Sequence, residues 1–188
     1  DTVLDFGQNL TGWVEVRVKA EAGKEIELQC FETLDADGNV YIDNLRTAKQ
    51  TIKYISNGEE RVYHPHFTFQ GFQYVKVCKW HTEIEKLLPE DFHACVLYSE
   101  MEQTGTFSCS NPLVNQLQHN ILWGLKGNFV DIPTDCPQRD ERMGWTGDAQ
   151  IFCRTACYLM NTDVFFTKWL MDLTCDQTEE GGVPHVVP

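Results

Sequence analysis

Residues 14–19 read Val-Glu-Val-Arg-Val-Lys, and residues 26–30 read Ile-Glu-Leu-Gln-Cys. In both stretches an apolar residue alternates with a polar one, which is the two-residue period of a strand with one buried face. An Ala22-Gly23-Lys24 turn separates the two stretches. The alternation therefore predicts antiparallel strands that cover a core on one side.

Further strands are predicted along the first hundred residues. They are Thr51–Ser56, Glu60–His64, Phe72–Trp80 and His93–Tyr98. Asn57-Gly58 lies between the first two of these and is a strong signal for a β-hairpin, and residues 35–39 form another turn sequence. Short antiparallel strands with regular turns are typical of a β-sandwich, so we expect a β-sandwich domain over residues 1–105.

Helical patterns begin near residue 110. Asn111 before Pro112 is the arrangement of an N-cap followed by proline at the first helical position. An apolar stripe at four-residue intervals then predicts an amphipathic helix; it consists of Leu113, Leu117, Ile121 and Leu125. Two more helices are predicted, one from Gly147 to about Met160 and one from the Asn161-Thr162-Asp163 cap to about Cys175. Helices that follow a group of strands indicate a second domain, placed at residues 106–188.

The charge balance excludes several partners. The 188 residues carry 15 basic and 28 acidic side chains, a net charge of −13. Such a field repels phosphate backbones, so nucleic acid and anionic membranes are not expected partners, whereas neutral sugars are unaffected. No run of 18 apolar residues occurs, so a transmembrane helix is not expected.

Cysteine and histidine patterns do not indicate a metal site. The eight cysteines contain no Cys-x-x-Cys pair, and we expect buried, reduced thiols, which slightly favour a cytoplasmic over a periplasmic or secreted location. His64 and His66 point the same way on a strand but lack a third ligand. No metal and no cofactor are therefore expected. Trp13 and Trp80 are candidates for a sugar-binding platform, although sheet tryptophans more often pack in a core.

The chemistry-bearing segment is residues 131–148, Asp-Ile-Pro-Thr-Asp-Cys-Pro-Gln-Arg-Asp-Glu-Arg-Met-Gly-Trp-Thr-Gly-Asp. Long polar loops within compact folds are usually functional. Clustered carboxylates suit acid/base chemistry because crowding keeps one protonated beside ionised neighbours. Arg139 and Arg142 can hold carboxylates in place, and Trp145 offers a flat face for a sugar. The alternative is a charged capping loop with salt bridges and a packed tryptophan.

Fourteen of these residues, Asp135–Asp148, resemble the signature of bacterial α-L-rhamnosidases, glycoside hydrolase family 78. Other stretches that fit the family are Asp5–Asn9, Asn44–Arg46, Gly71–Val75 and Phe107–Asn128. The resemblance therefore covers essentially the whole chain. It implies an antiparallel β-sandwich followed by the first helices of an (α/α)6 barrel, in an inverting enzyme that removes terminal α-L-rhamnose.

The resemblance also assigns roles to residues. Glu141 aligns with the general acid, and the residues that align with the rhamnose pocket are Asp135, Arg139, Trp145 and Asp148. The general base of the family is a glutamate later in the barrel, which we expect beyond Pro188 of a truncated chain. The implied partner is a rhamnose-containing glycoside or polysaccharide, with a homo-oligomer also open.

Two other functions remain at this point: a non-catalytic carbohydrate-binding module, and an (α/α)6 glycosidase for another sugar. Glu141 separates the enzyme from the binding module, because a lectin needs no protonatable carboxyl among arginines. The three predicted helices are expected to leave apolar side chains without partners, among them Phe165, Phe166 and Leu170, so that the isolated chain would be inactive and prone to aggregate.

Overall fold

The computed structural model describes residues 2–188, which form two compact units. The first unit runs through Leu97 and includes Gln138–Asp140; the second consists of Tyr98–Pro137 and Glu141–Pro188. The domain boundary expected at residue 105 stays a prediction. Three residues of the chemistry-bearing segment thus group with the strands, while the residues on both sides of them group with the helices.

The first unit is built on an antiparallel sheet. Its strands are β1 Thr2–Val18, β2 Glu25–Phe31, β5 Thr51–Ile55, β6 Arg61–Tyr63, β7 Gln70–Lys79 and β8 Phe92–Val96. Their order is β5-β2-β7-β1-β6, and β8 pairs with β1. Two further strands, β3 Thr33–Leu34 and β4 Val40–Tyr41, form a small hairpin. Short 3-10 turns lie at Asp43–Leu45, Ile84–Lys86 and Pro89–Asp91.

The alternating residues behave as predicted. Val14, Val16 and Val18 are fully buried in β1, and Ile26, Leu28 and Cys30 are buried in β2. The strand itself is longer than the alternation suggests, because β1 starts at Thr2. Its first part pairs with β7 as far as Gly12, and its last part pairs with β8 and β6. Gly12 pairs with β7 and also begins the pairing with β8. A Cβ there would lie 1.8 Å from the Cys95 carbonyl oxygen, so glycine permits the close approach of β8.

The hairpin prediction at Asn57-Gly58 is wrong. The turn is present, with Gly58 at φ 93°, but β5 pairs with β2 and β6 pairs with β1, at opposite ends of the strand order. The Tyr54 and Tyr63 rings nevertheless stack with centroids 4.5 Å apart. The two end strands, β5 and β6, therefore approach each other through side chains rather than through a ladder of backbone hydrogen bonds.

Three helices occur among the described residues of the second unit: α1 Pro112–Asn128, α2 Thr146–Leu159 and α3 Asp163–Asp176. The strands β9 Phe129–Val130 and β10 Ile132–Pro133 pair with each other after α1. Asn111 caps α1 as predicted: its side chain accepts a hydrogen bond from the Leu113 N–H at 3.0 Å. Thr162 occupies the cap position of α3, but its hydroxyl contacts the Cys157 thiol at 3.1 Å.

The core of the second unit corrects two expectations. Residues 131–148 were expected to form a polar loop, yet Cys136 is buried, and Phe129, just before this segment, is only 3% exposed. Phe165 was expected to lack a partner, but its ring stacks on Phe129 with centroids 4.6 Å apart. Phe166 packs against the same cluster, whereas Leu170 is exposed as expected. Pairing of β9 with β10 turns the Phe129 ring toward α2 and α3.

The expectation of buried thiols is wrong for half of the cysteines. Cys30 and Cys136 are buried, but Cys78, Cys109, Cys157 and Cys175 are exposed. Burial strongly raises the pKa of the Cys30 thiol. Separately, none of the helices formed by residues 2–188 has both the length and the apolar character needed to cross a membrane.

Candidate active site

The loop between β10 and α2 is closed by a reciprocal pair of hydrogen bonds. The Asp135 N–H donates to the Met143 carbonyl at 3.1 Å, and the Met143 N–H donates to Asp135 Oδ1 at 2.9 Å. One carboxylate oxygen of Asp135 therefore holds the two ends of the loop together. An amide at this position would retain an accepting oxygen, whereas an apolar side chain would not.

Glu141 lies within this loop in an unusual conformation. Its φ is 100°, and that of the next residue, Arg142, is 55°. Two consecutive non-glycine residues in the left-handed region are strained, because the Cβ crowds the backbone. Such strain persists only where the surroundings hold it, and it clusters at sites of function. The Glu141 side chain is exposed, so this backbone presents a carboxylate to solvent.

Three ligand-type side chains meet at Glu141. The side-chain ligand atoms of Asp135, Cys136 and Glu141 all lie within 4.8 Å of one another, which is the one such group of three found in residues 2–188. Burial lowers the pKa of the Arg142 guanidinium, and the nearby Cys136 thiol acts in the opposite direction. Two carboxyl groups this close to each other, beside an arginine, form the kind of cluster that acid/base chemistry uses.

Trp145 and Asp148 are positioned by the start of α2. Trp145 is the half-buried N-cap residue, and Asp148 is exposed in the first turn, where the helix dipole favours a negative charge. Gly144 is required just before them, because a Cβ there would lie 1.9 Å from the Val187 carbonyl oxygen. The Val187 N–H donates to the Gly144 carbonyl at 2.9 Å.

The last residues of the chain thus support the start of α2, a role that local sequence patterns did not indicate. Thr146 Oγ1 donates to the Pro184 carbonyl at 2.9 Å, and Trp169 Nε1 donates to the Val187 carbonyl at 3.2 Å. Val187 is fully buried. The only sequence signal was an apolar Val-Val pair in a stretch otherwise typical of a loop.

A cavity of about 240 Å³ lies between α1 and α2 in the second unit. Its walls are mostly apolar, and its polar edge consists of Asn128, Thr134 and Asp148. Thr134 Oγ1 donates to the Asn128 carbonyl at 3.0 Å. Asp148 therefore lies where an apolar surface meets hydrogen-bonding groups, as is common in sites for small molecules.

Arg139 belongs to the first unit, with its neighbour Asp140. Its Nη1 donates to the Asp140 carbonyl at 3.0 Å, and Asp140 Oδ1 accepts from the Thr47 N–H at 3.4 Å. Asp135 and Glu141 therefore lie close together in the loop, and Trp145 and Asp148 lie at the start of the helix that follows it. Arg139 belongs to the unit that contains the strands.

The remaining carboxylate of the segment, Asp131, has a structural role. It adopts φ 68°, its N–H donates to Ser99 Oγ at 2.8 Å, and its carboxylate pairs with Lys168 at 3.2 Å. Lys168 also pairs with Asp172 at 2.9 Å. Hydrogen bonds from Lys168 to Asp172 and Asp131 raise the pKa of its ammonium group, so this network links the turn between β9 and β10 to α3.

The aromatic residues of the sheet are engaged in packing. The Trp13 ring is stacked on His64 with centroids 5.3 Å apart, and Trp80 packs against Phe92 at 5.1 Å. The His64 and His66 rings lie 4.8 Å apart, but no third ligand joins them among the described residues. These contacts favour the packing interpretation over a sugar platform or a metal site.

Comparison with known families matches both parts of the chain. Residues 1–98 match the bacterial alpha-L-rhamnosidase concanavalin-like domain, and residues 102–188 match the bacterial alpha-L-rhamnosidase six-hairpin glycosidase domain. The first match confirms the β-sandwich, and the second confirms that the helices are those of a hairpin barrel.

Proteins similar in sequence to this chain are named alpha-L-rhamnosidases. An alpha-L-rhamnosidase of Streptomyces avermitilis is 43% identical over 187 residues, which is 99% of this chain and 18% of that protein. One from Formosa agariphila is 41% identical over 188 residues, covering 99% of this chain and 20% of that protein. This chain therefore spans about a fifth of the length of these relatives.

Solved structures agree. An alpha-L-rhamnosidase from Dictyoglumus thermophilum is 42% identical with a TM-score of 0.93, over 99% of this chain and 21% of that one. The Streptomyces avermitilis enzyme, complexed with L-rhamnose, is 43% identical with a TM-score of 0.92, over 99% of this chain and 18% of that one. The chain belongs to the bacterial α-L-rhamnosidase family, as a concanavalin-like β-sandwich domain followed by helices of the six-hairpin glycosidase domain.

Proposed function

We propose that the protein containing this chain hydrolyses terminal α-L-rhamnose from glycosides or polysaccharides, with inversion at the anomeric carbon and with Glu141 as the general acid. Family membership and the names of the similar proteins support the reaction and the sugar. The observation that carries the role of Glu141 is its exposed carboxylate, held on strained backbone within 4.8 Å of the Asp135 carboxylate.

In this mechanism Glu141 protonates the glycosidic oxygen as the bond to the anomeric carbon breaks. The acid must carry its proton until that moment. The side-chain oxygens of Asp135 and Glu141 lie within 4.8 Å of each other, so the acid sits beside a second carboxyl group. The loop closure through Met143 keeps the two groups at this separation.

Asp135 is too close to Glu141 to activate the attacking water. Inverting glycosidases separate the acid and the base by ~6.5–9.5 Å, so that a water molecule fits on the opposite side of the sugar. The Asp135 and Glu141 oxygens are within 4.8 Å. We therefore assign Asp135 to the sugar and the loop, and propose that the base lies outside this chain, which spans about a fifth of the length of its relatives.

The other candidates bind the neutral sugar. Carboxylates such as Asp135 and Asp148 accept hydrogen bonds from hydroxyl groups, and the guanidinium of Arg139 donates them. The half-buried Trp145 ring offers a flat apolar face for the C–H side of the pyranose. The net charge of −13 does not oppose this substrate, because rhamnose is uncharged.

Two alternatives are less well supported. A non-catalytic binding module does not account for the glycosidase-domain match at residues 102–188, and its expected platform tryptophan, Trp13, is stacked against His64. A glycosidase for another sugar would share the fold and Glu141. The rhamnosidase names of the similar proteins favour rhamnose.

The test is to express the full-length protein and measure sugar release from aryl glycosides. We expect turnover of an aryl α-L-rhamnoside, with β-L-rhamnose as the first product by NMR, and little turnover of matched α-L-fucoside or α-L-mannoside. Release of α-L-rhamnose first would contradict inversion, and preference for another sugar would contradict the substrate. Light scattering on the same sample measures whether the enzyme is a homo-oligomer.

A further inference from the structure

Arg139 lies in a three-residue segment that is packed directly on strand β7. A Cβ placed on Gly71 would be 2.8 Å from the Gln138 Cβ and 3.0 Å from its Cα and N. Contacts this short are essentially never made by real Cβ atoms, so the backbone of Gln138 can approach the strand only at a glycine. The Gly71 carbonyl is itself fixed, because it accepts a buried hydrogen bond from Gln50 Nε2 at 3.2 Å.

The loop between β4 and β5 holds the other end of this segment. The Thr47 N–H donates to Asp140 Oδ1, and the Asp140 carbonyl accepts from the Arg139 guanidinium. Asp140 thus links the loop to the arginine side chain. The loop adopts left-handed backbone at Arg46, with φ 55°, and at Gln50, with φ 48°, conformations that persist only where neighbouring groups impose them.

A half-buried carboxylate fixes the start of that loop. Glu32, just after β2, accepts a hydrogen bond on each oxygen: from Asn9 Nδ2 at 3.0 Å and from Asn44 Nδ2 at 3.1 Å. Burial raises the pKa of Glu32, and the hydrogen bond from Asn9 opposes that shift. The next residue after Asn44, Leu45, is 1% exposed. Glu32 therefore joins β1 to the turn from which the loop departs.

We propose that Glu32 and Gly71 are positioning residues for Arg139: they fix the loop and the strand surface that seat Gln138–Asp140, and so place the guanidinium for binding the sugar. This inference rests on the proposed function, because the role of Arg139 in rhamnose binding is part of that proposal. Groups that orient a binding residue affect affinity strongly, because displacements of ~1 Å are enough to lose a productive contact.

The first experiment compares Glu32→Gln with a matched control in the full-length enzyme. The Gln side chain has nearly the same shape, but its amide group replaces one of the two accepting oxygens, so one bond of the pair is lost. We expect KM for an aryl rhamnoside to rise about 3–10-fold with kcat little changed, as for loss of one hydrogen bond that acts on binding. Glu60→Gln, which removes surface ion pairs with Arg17 and Lys19, should leave KM unchanged.

The second experiment repeats Glu32→Gln in an Arg139→Ala background. If Glu32 acts through Arg139, its effect on KM disappears when the guanidinium is absent, even though any effect on thermal unfolding remains. A purely structural role would raise KM by the same factor in both backgrounds, and that result would overturn the proposal. An unchanged KM in the single Glu32→Gln variant would overturn it as well.

Gly71→Ala provides an independent variant at the strand. The added Cβ must displace Gln138, so we expect a rise in KM that is also lost in the Arg139→Ala background. If this variant fails to fold, the comparison of Glu32→Gln in the wild-type and Arg139→Ala backgrounds is sufficient to test the proposal. The proposed function fails separately: if Arg139→Ala itself leaves KM unchanged, the assignment of Arg139 to the sugar falls, and the positioning role falls with it. A raised KM for Arg139→Ala with no effect of Glu32→Gln removes the positioning role only.

Discussion

The Glu141 and Asp135 carboxylates have different surroundings in the loop. Substitutions at the two positions should therefore have different effects on structure and activity. The loop holds Asp135 through Oδ1, whereas the Glu141 carboxylate projects from strained backbone as an exposed group. A substitution at Glu141 that keeps the shape of the side chain therefore tests its acidity, while a change at Asp135 tests the loop and the sugar together.

For Glu141→Gln we expect a loss of activity. The variant keeps the shape of the side chain and removes the acidic proton, so turnover of natural rhamnosides by the full-length enzyme should fall ~10²–10⁴-fold. Aryl rhamnosides with activated leaving groups should lose less, because their departure requires less protonation. Steady-state kinetics on both substrate types measures this, with Glu179→Gln, at an exposed position, as the control. Near-normal turnover on a poor leaving group would show that another group is the acid.

For Asp148→Asn we expect weaker binding of rhamnose. The ionised carboxylate accepts hydrogen bonds from hydroxyl groups, and loss of its charge should reduce affinity about tenfold or more. Asp163→Asn is the matched control, since Asp163 is also an acidic residue in the first turn of a helix. Calorimetry on the full-length variants measures the change. Equal rhamnose affinities for the two variants would show that Asp148 does not bind the sugar and only interacts with the helix dipole.

The elements show which parts of the fold local patterns can determine. Alternation in β1 and β2 correctly identified the buried face, because side-chain direction follows from strand geometry alone. The Asn57-Gly58 turn was located correctly but its strands were paired wrongly, since turn residues fix the local backbone and carry no information on the partners that β5 and β6 find across the sheet. Phe129 was missed for the same kind of reason: its polar neighbours dominate the segment, and only the β9-β10 pairing shows that its ring is buried.

Phe129 should therefore be the most sensitive position of the helical unit. Its ring contacts Phe152, Phe165 and Phe166, and truncation to alanine removes these contacts and leaves a cavity, for a loss of ~3–5 kcal/mol. We expect a clear fall in the thermal unfolding midpoint of the full-length protein. Phe107→Ala, at an exposed ring, should change the midpoint little. Similar midpoints for both variants would mean that Phe129 is not a core residue.

The β3-β4 hairpin should respond to acid through Asp35. Hydrogen bonds from Asn39, backbone first and then side chain, lower the pKa of the Asp35 carboxyl below its usual 3.8. The stabilisation of the turn is then present above that value and lost as the pH falls through the lower folded pKa. NMR should show the Asp37 and Asn39 amide signals, whose N–H groups donate to Asp35 Oδ1, titrating with a midpoint below 3.8. Asp35→Asn should abolish the titration; a midpoint above 3.8 would contradict it.

At the scale of the whole molecule, the candidate site was predictable only where it is continuous in sequence. Asp135, Glu141, Trp145 and Asp148 come from one fourteen-residue string, so the resemblance identified them together. Groups that contact this string come from distant positions: Gly71 lies against Gln138 within the first unit, and Val187 lies against Gly144 within the second. These are tertiary contacts between residues far apart in the sequence, and local sequence patterns carry no information about them.

The 188-residue chain expressed alone should associate and should not hydrolyse rhamnosides. Its helices expose large apolar side chains, including Leu113 at 78%, Ile151 at 80% and Val164 at 82%. Exposed apolar surface of this extent promotes association. Hydrolysis also requires a base at ~6.5–9.5 Å from the acid, a distance that Asp135, within 4.8 Å of Glu141, does not provide. Light scattering and an aryl rhamnoside assay measure both outcomes.

A pair of matched variants tests whether the apolar side chains cause the association. Replacing Leu113, Ile151 and Val164 together by lysine removes the exposed apolar groups, so the isolated chain should scatter as a smaller species. A control triple at exposed polar positions of the same helices, Gln116, Gln150 and Thr167, adds the same charge and keeps the apolar surface, so it should still associate. Equal improvement in both triples would attribute the effect to charge. Glu141-dependent turnover from a monomeric chain would show that the catalytic groups are complete within these 188 residues, and that Asp131 or Asp163 must then be examined as the base.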